Sequence, residues 1–326
     1  MIISRTPLRI SFAGGGSDLP SFYAHEQGAV LSTSIDKYIY LAAHKFFDPD
    51  KVQLKYSKTE LVNDFSEIQH PIFRECLSML TVKGIDINSI ADIPAGTGLG
   101  SSSSFTVGVL HVLNTYKHRY VSQEYLAATA CGIEIGRLKE PIGKQDQYAA
   151  AYGGLNFISF NADESVDVEK IIMKPEVKQQ LEKNLIMIYT GDTRSASGIL
   201  QHQNQAMGRV DKRKIQKEMV KQAFELKEIL QNNRIDDFGR MLHEGWMLKK
   251  TLTAGISNLA VDDLYQKGLD AGALGGKLLG AGGGGFILFY CPEEKQEVFR
   301  QKMAGYRELP FCFDNSGSKI IYVEND

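Results

Sequence analysis

Alternating hydrophobic and polar residues near the start of the chain predict β-strands. Residues 9–13 alternate with a period of two and lead into a cluster of glycines, and residues 29–43 are rich in β-branched and aromatic side chains. Short apolar runs at 155–160 and 185–189 predict two further, buried strands. Strands are therefore expected in both halves of the chain.

Other segments repeat their apolar residues with helical spacing. The predicted helices cover residues 70–83, 105–113, 122–138, 148–152, 212–230, 235–252 and 258–271. Ser122 is placed to cap the third of these, and Gly153 and Gly154 end the fourth. Because strands and helices alternate irregularly, the pattern predicts an α+β fold with mixed sheets and not one doubly wound parallel sheet.

A segment rich in lysine and acidic residues, 162–183, separates two predicted halves. A chain of 326 residues is long enough for two domains, each with its own core. We therefore expect a first domain over residues 1–175 and a second over residues 176–326.

Composition and charge exclude several classes of protein. Hydrophobic residues make up 43% of the chain and charged residues 23%, which is typical of a globular protein. The net charge of −2 argues against binding to nucleic acid or a membrane surface, and no apolar run approaches the roughly 20 residues of a membrane span. The N-terminal residues do not resemble a signal peptide, and the four cysteines are scattered without a CxxC pair, so we expect a cytoplasmic protein.

The stretch IPAGTGLGSSSSFTVG, residues 93–108, has the composition of an anion-binding loop. Glycines at positions 96, 98 and 100 allow the backbone to approach a ligand closely. The serines at 101–104 fall at the start of a predicted helix, where free N–H groups and the helix dipole favour an anion. A flexible turn with an N-cap serine is the simpler alternative, but a cap needs only one serine.

Two familiar nucleotide-binding motifs do not fit the chain. The P-loop requires a lysine after its last glycine, where this chain has Ser101. A GxGxxG pattern occurs at Gly280, Gly282 and Gly285, but it leads into an apolar strand pattern and does not open a helix.

Three segments in order resemble the motifs of the GHMP kinases, which are named for galactokinase, homoserine, mevalonate and phosphomevalonate kinases. They are PLRISFAGGGSD at 7–18, PAGTGLGSSS at 94–103 and KLLGAGGGGFILFY at 277–290. The resemblance implies an N-terminal domain like ribosomal protein S5 domain 2, a ferredoxin-like C-terminal domain, and ATP as the phosphate donor. It also implies that the ATP phosphates bind along the second motif, at Pro94, Gly96, Thr97, Gly98, Leu99, Gly100, Ser101, Ser102 and Ser103.

Glu134 is a candidate metal ligand. It shares one helical face with three apolar residues at a spacing of four, namely Leu126, Ala130 and Leu138. A carboxylate on that face needs a counter-charge, which a Mg²⁺ ion or a partner such as Arg137 or Lys250 could supply. The resemblance to GHMP kinases implies the Mg²⁺ role for Glu134, together with Ser102.

Asp146 stands in the segment KQDQYAAAYGG, at the start of a predicted helix. It could simply cap that helix. In galactokinase-like members the corresponding segment also ends in Asp–Gln, and the resemblance implies that Asp146 orients or deprotonates the acceptor hydroxyl. Lys144 lies just before it and is expected to keep Asp146 ionised or to contact a phosphate.

The glycine cluster after the first strand is the candidate acceptor site. Asp18 follows Gly15, Gly16 and Ser17, so that its carboxylate could reach sugar hydroxyls or could be an ordinary turn residue. Galactokinase-like members carry Glu–His where this chain has Gly15 and Gly16. That difference argues against galactose and leaves room for a bulkier sugar.

The GGGSD form and the segment YTGDTRSASGIL at 189–200 resemble the D-glycero-D-manno-heptose 7-phosphate kinases and the kinase half of fucokinases. This resemblance implies transfer of the γ-phosphoryl group of ATP to the anomeric hydroxyl of the heptose 7-phosphate. The phosphate of such an acceptor needs a cation, for which Arg194 and Lys37 are candidates, although either could be a surface residue.

Two other functions stay open at the level of sequence. The first is a kinase for a free sugar such as fucose or galactose, and the second is a ligand-sensing protein without turnover on the same fold. Ser102, Glu134 and Asp146 together argue against the second, because a sensor does not need all three. The expected partner is a small sugar phosphate, and the sequence is compatible with a homodimer.

Overall fold

The protein is described by a computed structural model that covers residues 1–191 and 196–324. Twelve strands lie in these ranges. They are β1 (Ile2–Ala13), β2 (Gly28–Lys45), β3 (Val52–Lys55), β4 (Thr59–Val62), β5 (Ile85–Ala91), β6 (Leu155–Phe160), β7 (Val166–Lys170), β8 (Leu185–Tyr189), β9 (Gly275–Leu278), β10 (Phe286–Tyr290), β11 (Phe313–Asp314) and β12 (Lys319–Val323).

Eleven α-helices lie in the same two ranges. They are α1 (Pro20–Tyr23), α2 (Pro71–Leu80), α3 (Ser101–Tyr116), α4 (Gln123–Cys131), α5 (Gln145–Tyr152), α6 (Pro175–Lys183), α7 (Ala196–Ala206), α8 (Val210–Gln231), α9 (Phe238–Lys250), α10 (Leu259–Asp270) and α11 (Gln296–Lys302). A π-helical turn, Gly132–Arg137, extends α4, and 3₁₀ turns occupy Phe65–Glu67 and Glu293–Lys295. None of the helices in the described ranges combines the length and the apolar character that a membrane crossing requires.

The larger sheet is organised around β2, which has 18 residues. β1 runs antiparallel along one side of β2. On the other side, β6 pairs with the first part of β2, β11 with its middle and β5 with its last part. β5 continues through a parallel pairing with β3 to β4, and β7 extends β6. The strands on both sides of the sheet therefore pair with one long strand, β2.

The last strands of the chain return to this sheet. β12 pairs with the first residues of β1, and β11 pairs with the middle of β2. Both strands fall within the range predicted as the second domain, so residues 313–323 join the sheet that the first range builds. The predicted linker 162–183 contains β7 and α6. The division near residue 175 stays a prediction.

The smaller sheet is antiparallel and has the order β8, β10, β9. Helices α9 and α10 pack on β9, and an isolated bridge joins Ile188 of β8 to Glu308. Because antiparallel pairings dominate both sheets, the predicted α+β class is confirmed.

Helix α3 is the central helix of the fold, since it contacts both β1 and β2 and most of its residues are buried. Gly108 allows this contact, because a Cβ there would lie 3.0 Å from Oγ1 of Thr6 and 3.2 Å from Cδ1 of Leu41. In the first turn of α3, Ser104 Oγ donates a hydrogen bond to the carbonyl of Pro7 at 2.8 Å. The start of α3 is therefore fixed against β1.

Two glycine loops, 94–100 and 279–285, cross each other. A Cβ on Gly280 (φ +71°) would lie 2.5 Å from Cα of Gly98, and a Cβ on Gly98 (φ +82°) would lie 2.6 Å from the carbonyl oxygen of Leu279. At Gly285 a Cβ would lie 2.4 Å from the carbonyl oxygen of Thr97. The crossing therefore requires glycine, and it joins the loop before α3 to the β9–β10 hairpin.

We expect Gly280→Ala to lower the free energy of unfolding by about 2–4 kcal/mol, because the new Cβ meets the backbone of Gly98 and a positive φ disfavours an L side chain. Urea unfolding followed by circular dichroism measures the change. Gly305→Ala is the control, since a Cβ there meets nothing within 4 Å. Equal unfolding midpoints for the two variants would contradict the close crossing.

Candidate active site

A cavity of about 750 Å³ opens where the larger sheet, the crossing glycine loops and helices α7 and α9 meet. Its lining has three parts. The polar end includes Gly15, Gly16 and Asp18, the middle is formed by the loop and the start of α3, and the aromatic end includes Tyr56 and His70.

Six of the nine predicted phosphate-binding residues line the middle of the cavity. They are Gly96, Gly98, Gly100, Ser101, Ser102 and Ser103. Helix α3 begins directly after Gly100 (φ +75°), and no side chain caps its first N–H groups from that position. A helix start of this kind binds an anion through its N–H donors and its dipole. The middle of the cavity can therefore hold a phosphate chain without the P-loop lysine.

The other three predicted residues shape the loop. Pro94 is exposed, while Thr97 is buried and its Oγ1 donates to the carbonyl of Pro94 at 3.1 Å. The carbonyl of Leu99 accepts a hydrogen bond from the backbone N–H of Arg9 at 3.0 Å. None of the three is among the residues that line the cavity, so their contribution is to the curvature of the loop.

Glu134 lies in the π-helical turn after α4, with only 1% of its surface exposed. Ser102 Oγ donates to its Oε1 at 2.8 Å, and Gln147 Nε2 donates to its Oε2 at 2.7 Å. Burial raises the pKa of Glu134 in spite of these hydrogen bonds. The side chain of Glu134 therefore points inward, as its position on the helical face predicted.

The two alternative partners of Glu134 are engaged elsewhere, Arg137 with Glu75 at 3.5 Å and Lys250 with Asp262 at 2.9 Å. A carboxylate beside a serine hydroxyl is a donor pair that suits a hard cation such as Mg²⁺. The described residues contain no cluster of three His, Cys, Asp or Glu side chains that could hold a metal ion alone. A cation at this position would therefore need further ligands from phosphate or water.

Asp146 lies in the first turn of α5 and is held by an arginine. Arg9 Nε donates to Oδ1 at 2.8 Å and Nη2 donates to Oδ2 at 2.7 Å, which makes a bidentate ion pair. The remaining nitrogen, Nη1, donates to the carbonyl of Gly98 at 2.6 Å. Arg9 therefore fixes the Asp146 carboxylate relative to the glycine loop. The sequence analysis did not single out Arg9, although it stands within the first motif.

Lys144 does not have its predicted position beside Asp146. Its ammonium binds the carboxylate of Glu164 and lies 4.6 Å from the centroid of the Tyr23 ring. Residues two apart at the start of a helix point in different directions, so closeness in sequence does not bring the two side chains together. The expectation that Lys144 keeps Asp146 ionised is therefore wrong, because Arg9 occupies that place.

Asp18 is buried at the polar end. Its Oδ1 accepts hydrogen bonds from the N–H of Gly16 at 2.9 Å and from Nε2 of Gln145 at 3.1 Å, and its Oδ2 accepts one from the N–H of Gln145 at 3.2 Å. Burial, followed by the charge of Asp146, raises the pKa of Asp18. The carboxylate is thus positioned by its own loop and by the start of α5.

Of the three residues before Asp18, two line the cavity and one binds the backbone of β2. Gly15 and Gly16 line the cavity, whereas Ser17 Oγ is turned to the backbone of β2, 3.0 Å away. Two other buried polar atoms at this end, Ser11 Oγ and Gln145 Oε1, have no hydrogen-bond partner among the described residues. Buried polar groups are normally paired, so the polar end offers hydrogen bonds to a ligand with hydroxyl groups.

Two buried lysines that the sequence analysis missed also line the cavity. Lys249, in the last turn of α9, donates to the carbonyl of Gly280, and Lys277, in β9, donates to the carbonyl of Phe12 at 2.9 Å. Burial, followed by the charge of Arg9, lowers the pKa of Lys249 to about 8. Burial, followed by the charge of Lys249, lowers the pKa of Lys277 well below its usual value.

Of the two cations predicted to bind an acceptor phosphate, Lys37 pairs with Asp36 at 2.9 Å and is not among the residues that line the cavity. The prediction for Lys37 is therefore wrong for this cavity. Arg194 lies outside the described residues, and its role stays a prediction.

The aromatic end was not foreseen from the sequence. The ring centroid of His70 lies 4.9 Å from those of Tyr56 and Phe105, and Ile72 and Ile93 add apolar surface. Burial lowers the pKa of His70, so its imidazole is neutral at pH 7. This end of the cavity therefore suits a flat, uncharged ring.

Two family descriptions match the chain. The GHMP kinases N terminal domain matches residues 55–154, and the GHMP kinases C terminal domain matches residues 226–307. These ranges include the loop before α3, Glu134, Asp146 and the crossing loop at Gly280.

Individual proteins are similar over longer stretches. D-glycero-alpha-D-manno-heptose 7-phosphate kinase of Campylobacter jejuni is 31% identical over 333 residues, which cover 98% of each chain. The bifunctional fucokinase/GDP-fucose pyrophosphorylase of Arabidopsis thaliana is 28% identical over 93% of this chain and 31% of its own length. The crystal structure of a D-glycero-D-manno-heptose 1-phosphate kinase from Bacteroides thetaiotaomicron superposes with a TM-score of 0.81 at 25% identity, and the match covers all of both chains.

The fold, the crossing loops and the full-length similarity agree with one another. The chain therefore belongs to the GHMP kinases and is an ATP-dependent kinase that acts on a hydroxyl group.

Proposed function

We propose that the protein transfers the γ-phosphoryl group of ATP to the anomeric hydroxyl of D-glycero-D-manno-heptose 7-phosphate. The observation that carries this proposal is the position of Asp146, which Arg9 holds in one cavity with both the anion-binding loop and the polar end. Phosphoryl transfer needs positioning and charge stabilisation more than covalent participation, and this arrangement supplies both.

The residues that line the cavity support one orientation for bound ATP. The loop and the start of α3 suit the polyphosphate, because they present N–H groups and serine hydroxyls and no carboxylate. The aromatic end suits the adenine, which is flat and uncharged. The γ-phosphate would then point toward Asp146 and the polar end.

Ser102 and Glu134 are the residues that would hold a Mg²⁺ ion on the ATP phosphates. Their oxygen atoms are hard donors, and the buried Glu134 carboxylate has only neutral hydrogen-bond partners. A bound Mg²⁺ ion supplies charge neutralisation at the β- and γ-phosphate oxygens. The chain's own part is to place one carboxylate and one hydroxyl beside the start of α3.

Asp146 would orient the acceptor hydroxyl and accept its proton as the new P–O bond forms. The bidentate contact with Arg9 uses one lone pair of each carboxylate oxygen, so a further lone pair on each oxygen is left for the hydroxyl. Because Arg9 is almost fully buried and binds both carboxylate oxygens, it holds the carboxylate in this direction.

The polar end would bind the sugar. Asp18 offers its carboxylate, and Ser11 Oγ and Gln145 Oε1 are buried polar atoms that have no partner within residues 1–191 and 196–324. Sugar hydroxyls both donate and accept hydrogen bonds, so they can satisfy all three groups. The two heptose phosphate kinases described above support a phosphorylated heptose over free fucose or galactose as the acceptor.

We expect Asp146→Asn to lower kcat by about 10²- to 10⁴-fold, because the amide cannot accept the hydroxyl proton. The KM for ATP should change by less than about threefold, since Asp146 is not among the residues predicted to bind the ATP phosphates and the amide keeps the shape of the carboxylate. ADP release with heptose 7-phosphate as acceptor measures both constants. Asp263→Asn, an exposed aspartate on α10, is the control. An unchanged kcat for the Asp146 variant would remove this residue from the mechanism.

We expect Glu134→Gln to raise the Mg²⁺ concentration needed for half-maximal activity by about tenfold or more, because an amide is a weaker ligand for a hard cation. The variant should unfold at the same urea concentration as the wild type or at a higher one, since a buried carboxyl with a raised pKa gains nothing from its charge.

The matched control is Glu124→Gln, which changes a carboxylate of α4 that binds Tyr148 and Tyr152 and does not line the cavity. The same Mg²⁺ dependence in both variants and the wild type would exclude Glu134 as a metal ligand.

A further inference from the structure

Two lysines in the cavity each have one hydrogen-bond partner in the part of the chain that the structure describes. Lys249 and Lys277 are only 6% and 7% exposed. An ammonium group has three donors, and each lysine uses one of them on a backbone carbonyl, that of Gly280 or of Phe12. Within the described ranges, neither ammonium has a carboxylate within 4 Å. A buried cation in this state is costly unless a ligand completes it.

The charges around the lysines leave a surplus of positive charge. Three cations, Arg9, Lys249 and Lys277, influence one another, and only two carboxylates, Asp18 and Asp146, act on Lys249. Asp146 is already engaged by Arg9 on both oxygens. Two neighbouring buried ammonium groups repel each other, and a dianion placed between them would remove this repulsion.

We infer that Lys249 and Lys277 form the acceptor's anion subsite, where they bind the phosphate ester that the sugar already carries. This inference rests on the proposed function and adds to it the reason for a phosphorylated acceptor. The subsite takes the role that the sequence suggested for Lys37.

The surroundings of the lysines favour the acceptor over ATP as the source of the phosphate. Lys277 donates a hydrogen bond to the carbonyl of Phe12. Phe12 follows Ser11, whose hydroxyl has no partner among the described residues, and it stands shortly before the glycines that precede Asp18. Lys249 and Lys277 line the same cavity as Asp18, Gly15 and Gly16 at the polar end. The ATP phosphates have their own donors at the start of α3, which contributes no lysine.

The test compares acceptors with and without the phosphate. Lys249→Met and Lys277→Met keep the length of the side chain and remove its charge, and Lys250→Met changes the neighbouring lysine, which pairs with Asp262 and does not line this cavity. The two acceptors are D-glycero-D-manno-heptose 7-phosphate and the same heptose without phosphate.

We expect the KM for heptose 7-phosphate to rise on the order of 10²-fold in Lys249→Met and in Lys277→Met, because each loses a buried ion pair with the phosphate. The KM for ATP and the kcat/KM for the unphosphorylated heptose should change by less than about threefold. Lys250→Met should behave as the wild type with both acceptors. Lys249→Gln and Lys277→Gln serve as second variants if a methionine variant does not fold.

An equal fall in kcat with both acceptors would overturn the inference, since the lysines would then act on the transferred phosphoryl group. A wild-type enzyme that uses the unphosphorylated heptose as well as the 7-phosphate would also overturn it, while the kinase proposal would stand. If the wild type turns over neither sugar, the proposed function fails on its own. Calorimetric titration of heptose 7-phosphate still decides the subsite: binding that only the two lysine variants lose supports it, and no binding to the wild type overturns it.

The pH dependence gives an independent readout. A lysine with a pKa of about 8 loses its charge as the pH rises through that value, so the KM for heptose 7-phosphate should increase between about pH 7.5 and 9. The charged groups that face Lys249 are Arg9, Asp18, Asp146 and Lys277. The unphosphorylated heptose should show no such increase, and the same pH profile for both acceptors would contradict the assignment.

Discussion

The bidentate contact between Arg9 and Asp146 is the interaction on which the rest of the site depends. Through Nη1 the same guanidinium also binds Gly98, so one side chain joins β1, the phosphate-binding loop and the start of α5. The planar fork of arginine suits this task, because it satisfies two acceptors on one side and a third on another in fixed directions. Without Arg9 the carboxylate would have no cationic partner in direct contact, and the loop would lose a hydrogen bond at the residue where it crosses its neighbour.

Four buried titratable groups at the site, namely Asp18, Glu134, Lys249 and Lys277, share one physical property, which is that burial disfavours their charged forms. The pKa values of Asp18 and Glu134 are raised, and those of Lys249 and Lys277 are lowered, with burial as the first cause in each case. In the absence of ligands these four groups therefore lack the counter-charges that would stabilise their charged forms. A metal ion, a polyphosphate and a sugar phosphate would each supply a counter-charge. Binding of these ligands would therefore also remove the cost of burying the charged groups.

Local features of the fold could be predicted from the sequence, and long-range features could not. Strands β6 and β8 have the predicted bounds, because a short apolar run is a local signal. The inward direction of Glu134 followed from helical spacing, although the helix continues there as a π turn. By contrast, β11 and β12 are short strands near the end of the chain that pair with residues near its beginning, which no local pattern indicates.

The candidate site shows the same division. Its glycine loop, Asp18 and Asp146 belong to motifs that can be recognised within a few residues. Arg9, Lys249 and Lys277 act through contacts with distant segments, and their burial could not be read from their neighbours in sequence. Lys144 was misassigned for the opposite reason, because closeness to Asp146 along the chain does not determine the direction of its side chain.

The crossing of the two glycine loops has a consequence for biosynthesis. By the time the ribosome has made the first 160 or so residues, Asp146, Glu134 and the serine-rich loop are all present. Gly280 and Gly285, which support that loop from the other side, are translated more than a hundred residues later. A nascent chain therefore carries the proposed catalytic side chains before the second glycine loop exists, and the crossing forms only when the β9–β10 hairpin docks.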